Sequence, residues 1–254
     1  MFYLRLAGAL LGFFAASVYG VAIAVLRRDE RMVAHDYARM MVRLMRPPLG
    51  LRTEVRGRER LRRHRPCIYI TNHQSMYDVP VLAELYPPDT VVIGKKELRS
   101  IPFFGWIFTV TGNILLDRAD KTKAVGRMRE AEEAILTRGV SVWVFPEGTR
   151  GRVPGELLPF KKGAFYMAVA TGAPLVPVVA APIEPMFSMK RRRIRPATLQ
   201  LRVLEPIPTA GLGDSDVAPL LETARARMQA ALREMAATGP AGSPASPLAA
   251  HGLR

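Results

Sequence analysis

Two residues whose types and spacing suit acid–base chemistry follow the apolar run that ends at Ile70: His73, and Asp78 five positions later. An imidazole can take a proton from an attacking hydroxyl, while a neighbouring carboxylate fixes its tautomer and stabilises the imidazolium. Positions five apart lie about 140° around an α-helix and would not meet there. The pair therefore requires His73 in a loop or first turn, with the chain bending towards Asp78. Taken alone, the spacing also fits a hydrogen-bonded structural histidine.

A second block of candidate residues, F-P-E-G-T-R at residues 145–150, lies at the end of another predicted strand. Gly148 would let the backbone approach a ligand, Thr149 offers a hydroxyl donor, and Arg150 can pair with a phosphate through two hydrogen bonds. Glu147 is unusual in a pure anion site, which suggests that it contacts a hydroxyl or restrains a neighbouring cation. An ordinary strand-end turn is the alternative interpretation of this block.

Further charged residues are candidates for phosphate binding. Asp117 and Arg118 follow a short apolar run, which could present Arg118 to a phosphate with Asp117 orienting it. A surface salt bridge of little energetic consequence is the alternative. Two lysine pairs add candidates, and each fits a solvated face equally well: Lys95 with Lys96, and Lys161 with Lys162.

Composition limits the classes of protein to which the chain can belong. Its 254 residues carry a formal net charge of +15 and are 49% hydrophobic, which excludes a disordered or fibrous protein. A surface this basic favours anionic partners, namely nucleic acid, an anionic membrane, or phosphorylated and CoA-bearing substrates. The single cysteine, Cys67, excludes an internal disulfide and a cysteine-based metal cluster.

Short apolar runs typical of strands alternate with helical patterns along most of the chain. Strands are predicted at residues 67–71, 91–94, 114–116, 141–145, 175–180 and 198–204. Helices are predicted at residues 121–137, ended by Gly139, and at residues 216–237. This alternation predicts an α/β fold with a mixed, largely buried sheet flanked by helices. The Gly-, Pro-, Ser- and Ala-rich tail, residues 238–254, is predicted to be disordered.

The N-terminal segment favours membrane association. Residues 6–26 contain no charged residue, and a helix of about 20 residues spans a hydrocarbon core. Basic residues that outweigh Arg5 close the run: Arg27, Arg28 and Arg31. The positive-inside rule therefore places the rest of the chain on the cytoplasmic face of the cell inner membrane. The glycines of the run also permit a shallow position in the interface. A signal peptide is disfavoured by the single preceding arginine and the length of the run.

The next segment, residues 29–46, is predicted to be a basic amphipathic helix ended by Pro47 and Pro48. Such a helix, directly after a membrane segment, suits the surface of an anionic bilayer. Packing against the protein's own core fits the pattern equally well. The predicted organisation is therefore a membrane-associating region at residues 1–48, a single catalytic domain at 49–237, and the tail.

In order and spacing these blocks resemble the glycerolipid acyltransferase family, and within it the 1-acylglycerol-3-phosphate acyltransferases. The resemblance covers roughly residues 65–205, and several blocks in the right order are far more specific than one. The family's N-H-x-x-x-x-D block is matched by Asn72, His73 and Asp78, and its F-P-E-G-T-R block by residues 145–150. Its G-x-x-x-x-D-R block is matched by Gly112, Asp117 and Arg118. Its lysine-rich block is matched by Gly94, Lys95, Lys96, Glu97 and Leu98, and a later V-P-V by residues 176–178.

The resemblance implies a reaction and a set of site residues. His73 would deprotonate the free hydroxyl of 1-acylglycerol-3-phosphate, which attacks an acyl thioester directly to form phosphatidate, while Asp78 orients His73. Acyl-CoA or acyl carrier protein would be the donor, and neither a metal nor another cofactor is implied. The residues that the resemblance implies in acceptor binding are Lys95, Lys96, Arg118, Glu147, Gly148, Thr149, Arg150 and Lys161.

Three alternatives compete with this interpretation. The acceptor could be another lyso-lipid, such as a lyso-ornithine lipid, because motifs do not specify pocket shape. Nucleic-acid binding suits the charge, but no recognised motif or interleaving of basic and stacking aromatic residues accompanies it. A catalytically dead lipid-binding relative is opposed by the intact His73 and Asp78.

The basic stretches at residues 52–65 and 190–195 suit anionic lipid headgroups, an acidic carrier protein or CoA phosphates.

Overall fold

The structure, a computed structural model, describes residues 1–27, 30–75, 77–117, 119–151, 153–183 and 186–238. Arg118 and the predicted disordered tail from residue 239 onwards lie outside the described residues. The helices are α1 (Phe2–Leu26), α2 (Glu30–Leu49), α3 (Arg60–Arg63), α4 (Asp78–Leu82), α5 (Phe104–Val110), α6 (Lys121–Arg138), α7 (Gly163–Thr171) and α8 (Val217–Thr238). The strands are β1 (Leu51–Arg56), β2 (Ile68–Thr71), β3 (Thr90–Lys95), β4 (Ile114–Leu116), β5 (Ser141–Val144), β6 (Leu175–Ala180), β7 (Phe187–Ser188), β8 (Arg193–Ile194) and β9 (Ala197–Val203).

The described residues form a seven-stranded sheet in the order β1-β9-β6-β2-β5-β3-β4. Strands β6, β2, β5, β3 and β4 run parallel to one another, whereas β9 is antiparallel to β6 and parallel to β1. The short strands β7 and β8 form a separate antiparallel pair. The predicted α/β fold with a mixed sheet is therefore confirmed.

Both faces of the sheet are covered, because successive side chains of a strand point to opposite sides. In β2, Ile68 and Ile70 pack with residues of α6, α7 and α8, whereas Tyr69 packs in the opposite layer with residues of α3 and α4. In β5, Val142 joins the first layer and Trp143 the second. Burial on both faces explains why these strands read as continuous apolar runs rather than as alternating patterns.

The predicted strands are all present, with ends that differ by one residue where they differ at all. Strand β1 was not predicted, because its sequence L-R-T-E-V-R was interpreted only as part of an arginine-rich stretch. It lies at the edge of the sheet, paired with β9, where its polar side chains can face solvent while Leu51 is buried. Helices α5 and α7 were also not predicted.

Helix α2 continues through Pro47 and Pro48 to Leu49, so its predicted end at residue 46 is wrong. A proline inside a helix removes a backbone donor and crowds the preceding turn, but these two residues occupy the last turn. A Cβ built on Gly8 would lie only 2.8 Å from the Cβ of Pro48. The absence of a side chain at Gly8 therefore leaves room for this proline against α1.

Helix α1 packs against α2 through its small residues. A Cβ built on Gly12 would lie 2.5 Å from the carbonyl oxygen of Leu44, and the Ser17 hydroxyl lies 3.0 Å from that of Tyr37. The apolar face of α2, including Tyr37, is buried, so α2 packs on the protein's own core, one of its two predicted arrangements. Of the described helices, α1 is the one long and apolar enough to cross a membrane. Its large side chains that face outward include Leu4, Leu11, Phe14 and Val18.

Candidate active site

The sheet topology brings the motif residues to one edge. Strands β2, β5, β3 and β4 are parallel, so their carboxyl ends lie at the same edge of the sheet. His73 follows β2, Glu147 follows β5, Lys96 follows β3 and Asp117 follows β4. Adjacent strands lie roughly 4.8 Å apart, so His73 and Glu147 are near neighbours, whereas Asp117 leaves the sheet three strands from His73.

His73 and Asp78 form the hydrogen-bonded pair that their spacing predicted. His73 lies in the loop after β2, and Asp78 is the first residue of α4, so the chain bends between them. The His73 Nδ1 to Asp78 Oδ2 distance is 2.6 Å, with 25% of the histidine side chain and 4% of the aspartate side chain exposed. Asp78 Oδ2 also accepts hydrogen bonds from the backbone N–H groups of Gln74 (2.8 Å) and Ser75 (3.1 Å). With Nδ1 engaged, Nε2 is the ring nitrogen left to exchange a proton with a ligand.

Two amide side chains fix the loop that carries His73. Asn72 Nδ2 donates to the carbonyl oxygen of Ala180 at 3.0 Å, and Asn72 Oδ1 accepts from the backbone N–H of Ala180 at 2.9 Å. Gln74 Nε2 donates to the carbonyl oxygens of Ala180 and Ala181 at 3.0 and 3.1 Å. On the other side, the His73 ring lies 4.5 Å from the Phe145 ring, centre to centre. The loop is therefore tied to the carboxyl end of β6, a role for Gln74 that the sequence interpretation missed.

Glu147 is buried, with 3% of the residue exposed, and both of its carboxylate oxygens accept backbone hydrogen bonds. Oε1 accepts from the N–H of His73 at 2.8 Å, and Oε2 accepts from the N–H of Leu158 at 2.9 Å. Burial raises the pKa of Glu147, while these two hydrogen bonds oppose that rise. The carboxylate thus joins the His73 loop to the segment that ends at Leu158. Its predicted contact with the acceptor stays a prediction.

A cleft of about 300 Å³ opens beside the His73–Asp78 pair. His73, Glu147 and Arg150 line it together with the apolar side chains of Phe187 and Met189. A smaller cavity of about 170 Å³ shares Arg150 with this cleft and is also lined by Thr149, Val153 and Leu158. An acid–base pair, a guanidinium and apolar walls therefore meet in one place.

The F-P-E-G-T-R turn lies beside Lys161. Gly148 has a φ of +67°, which glycine adopts without strain. A Cβ built on it would lie 3.4 Å from Cγ of Lys161, and the backbone N–H of Lys161 donates to the carbonyl oxygen of Pro146 at 2.7 Å. The structure therefore brings Lys161 against the turn that carries Gly148 and Arg150, and their predicted role in acceptor binding stays a prediction.

Two of the predicted lysines lie at the end of β3, Lys95 as its last residue and Lys96 directly after it. Lys96 Nζ is 2.7 Å from Oδ2 of Asp117, and Asp117 Oδ1 accepts from the backbone N–H of Ala119 at 3.1 Å. The hydrogen bond to Asp117 raises the pKa of Lys96. The described residues that line the cleft do not include Lys95 or Lys96. Their predicted role in phosphate binding stays a prediction, and that of Arg118 falls outside the described residues.

The basic stretch at residues 52–65 makes many contacts within the protein. Arg58 pairs with Glu84, which also lies 2.6 Å from Nη1 of Arg46 on α2. Arg60 donates to the carbonyl oxygen of Val203 at 2.7 Å, and Arg65 Nη2 donates to that of Asp89 at 2.7 Å. These arginines make intramolecular hydrogen bonds and salt bridges, so they contribute to the stability of the fold as well as to surface charge.

Comparison with known proteins shows what this chain is similar to. A sequence model of the acyltransferase family matches residues 52–181. The human 1-acyl-sn-glycerol-3-phosphate acyltransferase beta is 36% identical over 85% of this chain and 78% of that protein. The Escherichia coli K12 1-acyl-sn-glycerol-3-phosphate acyltransferase is 37% identical over 82% of this chain and 83% of that protein.

A solved structure extends the likeness to the fold. The crystal structure of the 1-acyl-sn-glycerophosphate acyltransferase PlsC from Thermotoga maritima superposes with a TM-score of 0.72 at 27% sequence identity. The match covers 92% of this chain and 98% of that one. The residues matched by the family model include the His73–Asp78 pair and the F-P-E-G-T-R turn. This chain belongs to the acyltransferase family.

Proposed function

We propose that this protein transfers a fatty acyl group from an acyl thioester to the free hydroxyl of 1-acylglycerol-3-phosphate, forming phosphatidate. The observation that carries the proposal is the His73–Asp78 pair in a cleft that also contains Arg150. The relatives from human and Escherichia coli are named for this activity. Acyl-CoA and acyl carrier protein are both suitable donors, because each presents the same thioester.

In this mechanism His73 acts as general base and then as general acid. Its Nε2 takes the proton of the acceptor hydroxyl while the hydroxyl oxygen attacks the thioester carbonyl. A C–O bond forms, the C–S bond breaks, and the departing thiolate receives the proton from His73. Asp78, fixed by its two backbone donors, holds the ring in the required tautomer and stabilises the imidazolium.

Acceptor binding is assigned to the positive groups at the same sheet edge. Arg150 would hold the phosphate through charge-assisted hydrogen bonds, assisted by Thr149 and by Lys161 beside Gly148. Lys95 and Lys96, at the end of β3, are further candidates for binding the acceptor, as is Arg118, which lies outside the described residues. Glu147, engaged by two backbone N–H groups, would shape the glycerol site through the His73 loop.

Replacing Arg150 with alanine should raise KM for lysophosphatidate about 10- to 100-fold, because a charge-assisted hydrogen bond contributes about 1.5–3 kcal/mol. The turnover number should change much less, since Arg150 is assigned to the phosphate rather than to the reacting hydroxyl. Steady-state kinetics at saturating acyl-CoA measures both constants. Arg129→Ala, at an exposed position on α6, is the matched control. An unchanged KM in the Arg150 variant would remove this residue from the acceptor site.

Direct competition between acceptors tests the proposed substrate. The purified protein is given equal amounts of 1-acylglycerol-3-phosphate, the corresponding monoacylglycerol and a lyso-ornithine lipid, with one labelled acyl donor. Preference for the phosphate-bearing acceptor by at least tenfold supports the proposal. Equal or faster acylation of an acceptor without phosphate would replace lysophosphatidate with that acceptor.

We place helices α1 and α2 in the membrane interface, on the cytoplasmic face of the inner membrane. One side of α1 exposes large apolar residues, while its small residues hold α2 alongside it. Helix α2 carries the exposed charges Arg39 and Arg43, which a hydrocarbon core disfavours. Helix α5, which carries exposed Trp106, packs on α1 through Phe104, whose ring lies 5.5 Å from that of Phe13. An interfacial α1 leaves all these groups in a suitable environment.

A basic turn links the exposed face of α1 to the cleft. Lys190 lines the cleft, and the guanidinium of Arg192 lies 6.0 Å from the ring centre of Tyr3 at the start of α1. Both residues are exposed. Anionic lipid headgroups at the interface are therefore the partners assigned to this turn, because the exposed apolar face of α1 begins beside it.

The double variant Lys190→Ala/Arg192→Ala should bind anionic vesicles about 10- to 30-fold more weakly, since each basic residue near the surface contributes about 1 kcal/mol. Binding to neutral phosphatidylcholine vesicles should not change. Flotation with phosphatidylglycerol-containing and neutral vesicles measures the difference. Arg62→Ala/Arg63→Ala removes two exposed charges on α3 as the control. An equal loss in both double variants would mean that overall charge, rather than this turn, determines binding.

A further inference from the structure

The side-chain amide of Gln229 on helix α8 holds one wall of the cleft. Gln229 Nε2 donates to the carbonyl oxygen of Gly155 at 2.8 Å, and Gln229 Oε1 accepts from the backbone N–H of Leu157 at 3.1 Å. Arg225, one turn earlier, donates to the carbonyl oxygen of Leu157 at 3.2 Å. Helix α8 lies beyond residues 52–181, the part that the family model matches.

The segment that Gln229 holds, residues 155–157, contributes directly to the site. Gly155 and Glu156 line the 300 Å³ cleft, and Glu156 and Leu157 line the smaller cavity beside it. Leu232, three residues after Gln229 on α8, lines the same cleft. Helix α8 therefore forms the support behind this wall.

Hydrogen bonds connect this wall to His73. The next residue, Leu158, donates its backbone N–H to Oε2 of Glu147 at 2.9 Å, and Oε1 of Glu147 accepts from the N–H of His73 at 2.8 Å. The carbonyl oxygen of His73 accepts from the N–H of Gly151 at 2.8 Å. Both backbone polar groups of His73 are thus bonded to residues of the segment 147–158, whose far end Gln229 secures.

We infer that Gln229 is a positioning residue for acyl transfer, acting on His73 through Leu158 and Glu147. The inference rests on the proposed function and adds a residue to it. Without Gln229, two backbone groups of the wall lose their partners, and the wall can shift relative to the general base. A misplacement of about 1 Å at a reacting group can cost as much as 100-fold in rate. An effect on turnover is therefore expected from a side chain that does not touch the substrate.

Kinetics of Gln229→Met test the inference, because methionine has a similar length but neither hydrogen bond. We expect kcat/KM for lysophosphatidate to fall about 10-fold. On a logarithmic scale, at least half of this fall should be a decrease in kcat rather than an increase in KM. Thr209→Val is the matched control. It removes a buried hydrogen bond of 2.8 Å to the carbonyl oxygen of Ala173. Ala173 lies just before the amino end of β6, whereas the cleft lies at the carboxyl ends of the parallel strands. The control should lower Tm by a similar amount and leave both kinetic constants within twofold of wild type.

A double variant identifies the route of the effect. If Gln229 acts through Glu147, then adding Gln229→Met to Glu147→Gln should cost less than a further twofold, because the connection is already broken. A full 10-fold further loss would overturn this route, and wild-type kinetics for Gln229→Met with a lowered Tm would overturn the positioning role. Wild-type protein in the same assay separates the two proposals: if it forms no phosphatidate the proposed function fails, whereas a fully active Gln229 variant rejects only the role of Gln229.

Discussion

Replacing His73 with alanine should lower kcat for phosphatidate formation by about 10³-fold, which lies within the usual contribution of a general base. The hydroxyl of a glycerol is a poor nucleophile near neutral pH, so its attack on the thioester depends on the removal of its proton. In the structure the 2.6 Å contact with Asp78 fixes the orientation of the His73 ring, and His73 lines the cleft. Substrate binding should persist, since Arg150 and the apolar walls remain.

Single-turnover acyl transfer with lysophosphatidate in excess measures this effect without interference from product release. His64→Ala is the matched control, because His64 is exposed and follows α3, outside the site. The His64 variant should retain wild-type turnover, and both variants should unfold at temperatures close to that of wild type. Turnover by His73→Ala within threefold of wild type would eliminate the general-base assignment.

Replacing Asp78 with asparagine should lower kcat by about 10²-fold or more, the second largest effect that we expect. Asp78 Oδ2 accepts hydrogen bonds from His73 Nδ1 and from two backbone N–H groups. Asparagine preserves the volume but loses the charge that stabilises the imidazolium, and its amide nitrogen can favour the wrong tautomer of His73. The loss should be smaller than that for His73→Ala, because an imidazole remains in the cleft.

The measurement is kcat with KM for lysophosphatidate determined alongside, since an orienting carboxylate affects the reacting group and not the phosphate. KM should stay within about threefold of wild type. Asp214→Asn changes an exposed aspartate before α8 and should have no kinetic effect. If Asp78→Asn raised KM with unchanged kcat, Asp78 would belong to acceptor binding rather than to orientation of His73.

Much of the fold was accessible from local sequence patterns, because buried parallel strands produce recognisable apolar runs. The runs at residues 114–116 and 175–180 coincide with β4 and β6. Strand β1 was hidden because an edge strand can carry arginines on its open face. The end of α2 was misplaced because the tolerance of Pro48 depends on Gly8, 40 residues earlier, and no local pattern contains that contact.

The same difference between local and long-range contacts separates the site residues that were predicted from those that were not. The His73–Asp78 pair and the turn around Gly148 were predicted because each set lies within six residues of sequence. The positions of Gln74 and Gln229 were not predicted, because each side chain bonds to the backbone of residues about 70 to 110 positions away. The pairing of Lys96 with Asp117 was likewise invisible, since it depends on the adjacency of β3 and β4. Long-range contacts to the backbone leave no signature in the spacing of residue types.

The stoichiometry of acyl transfer tests the central claim most directly. Purified protein in phosphatidylglycerol-containing vesicles receives lysophosphatidate with palmitoyl-CoA or palmitoyl acyl carrier protein, and both thioester consumption and phosphatidate formation are followed. The account predicts one phosphatidate formed for each thioester consumed with at least one of the donors, and loss of both signals in His73→Ala. Thioester hydrolysis without phosphatidate, or phosphatidate formed equally fast by the His73 variant, would contradict it.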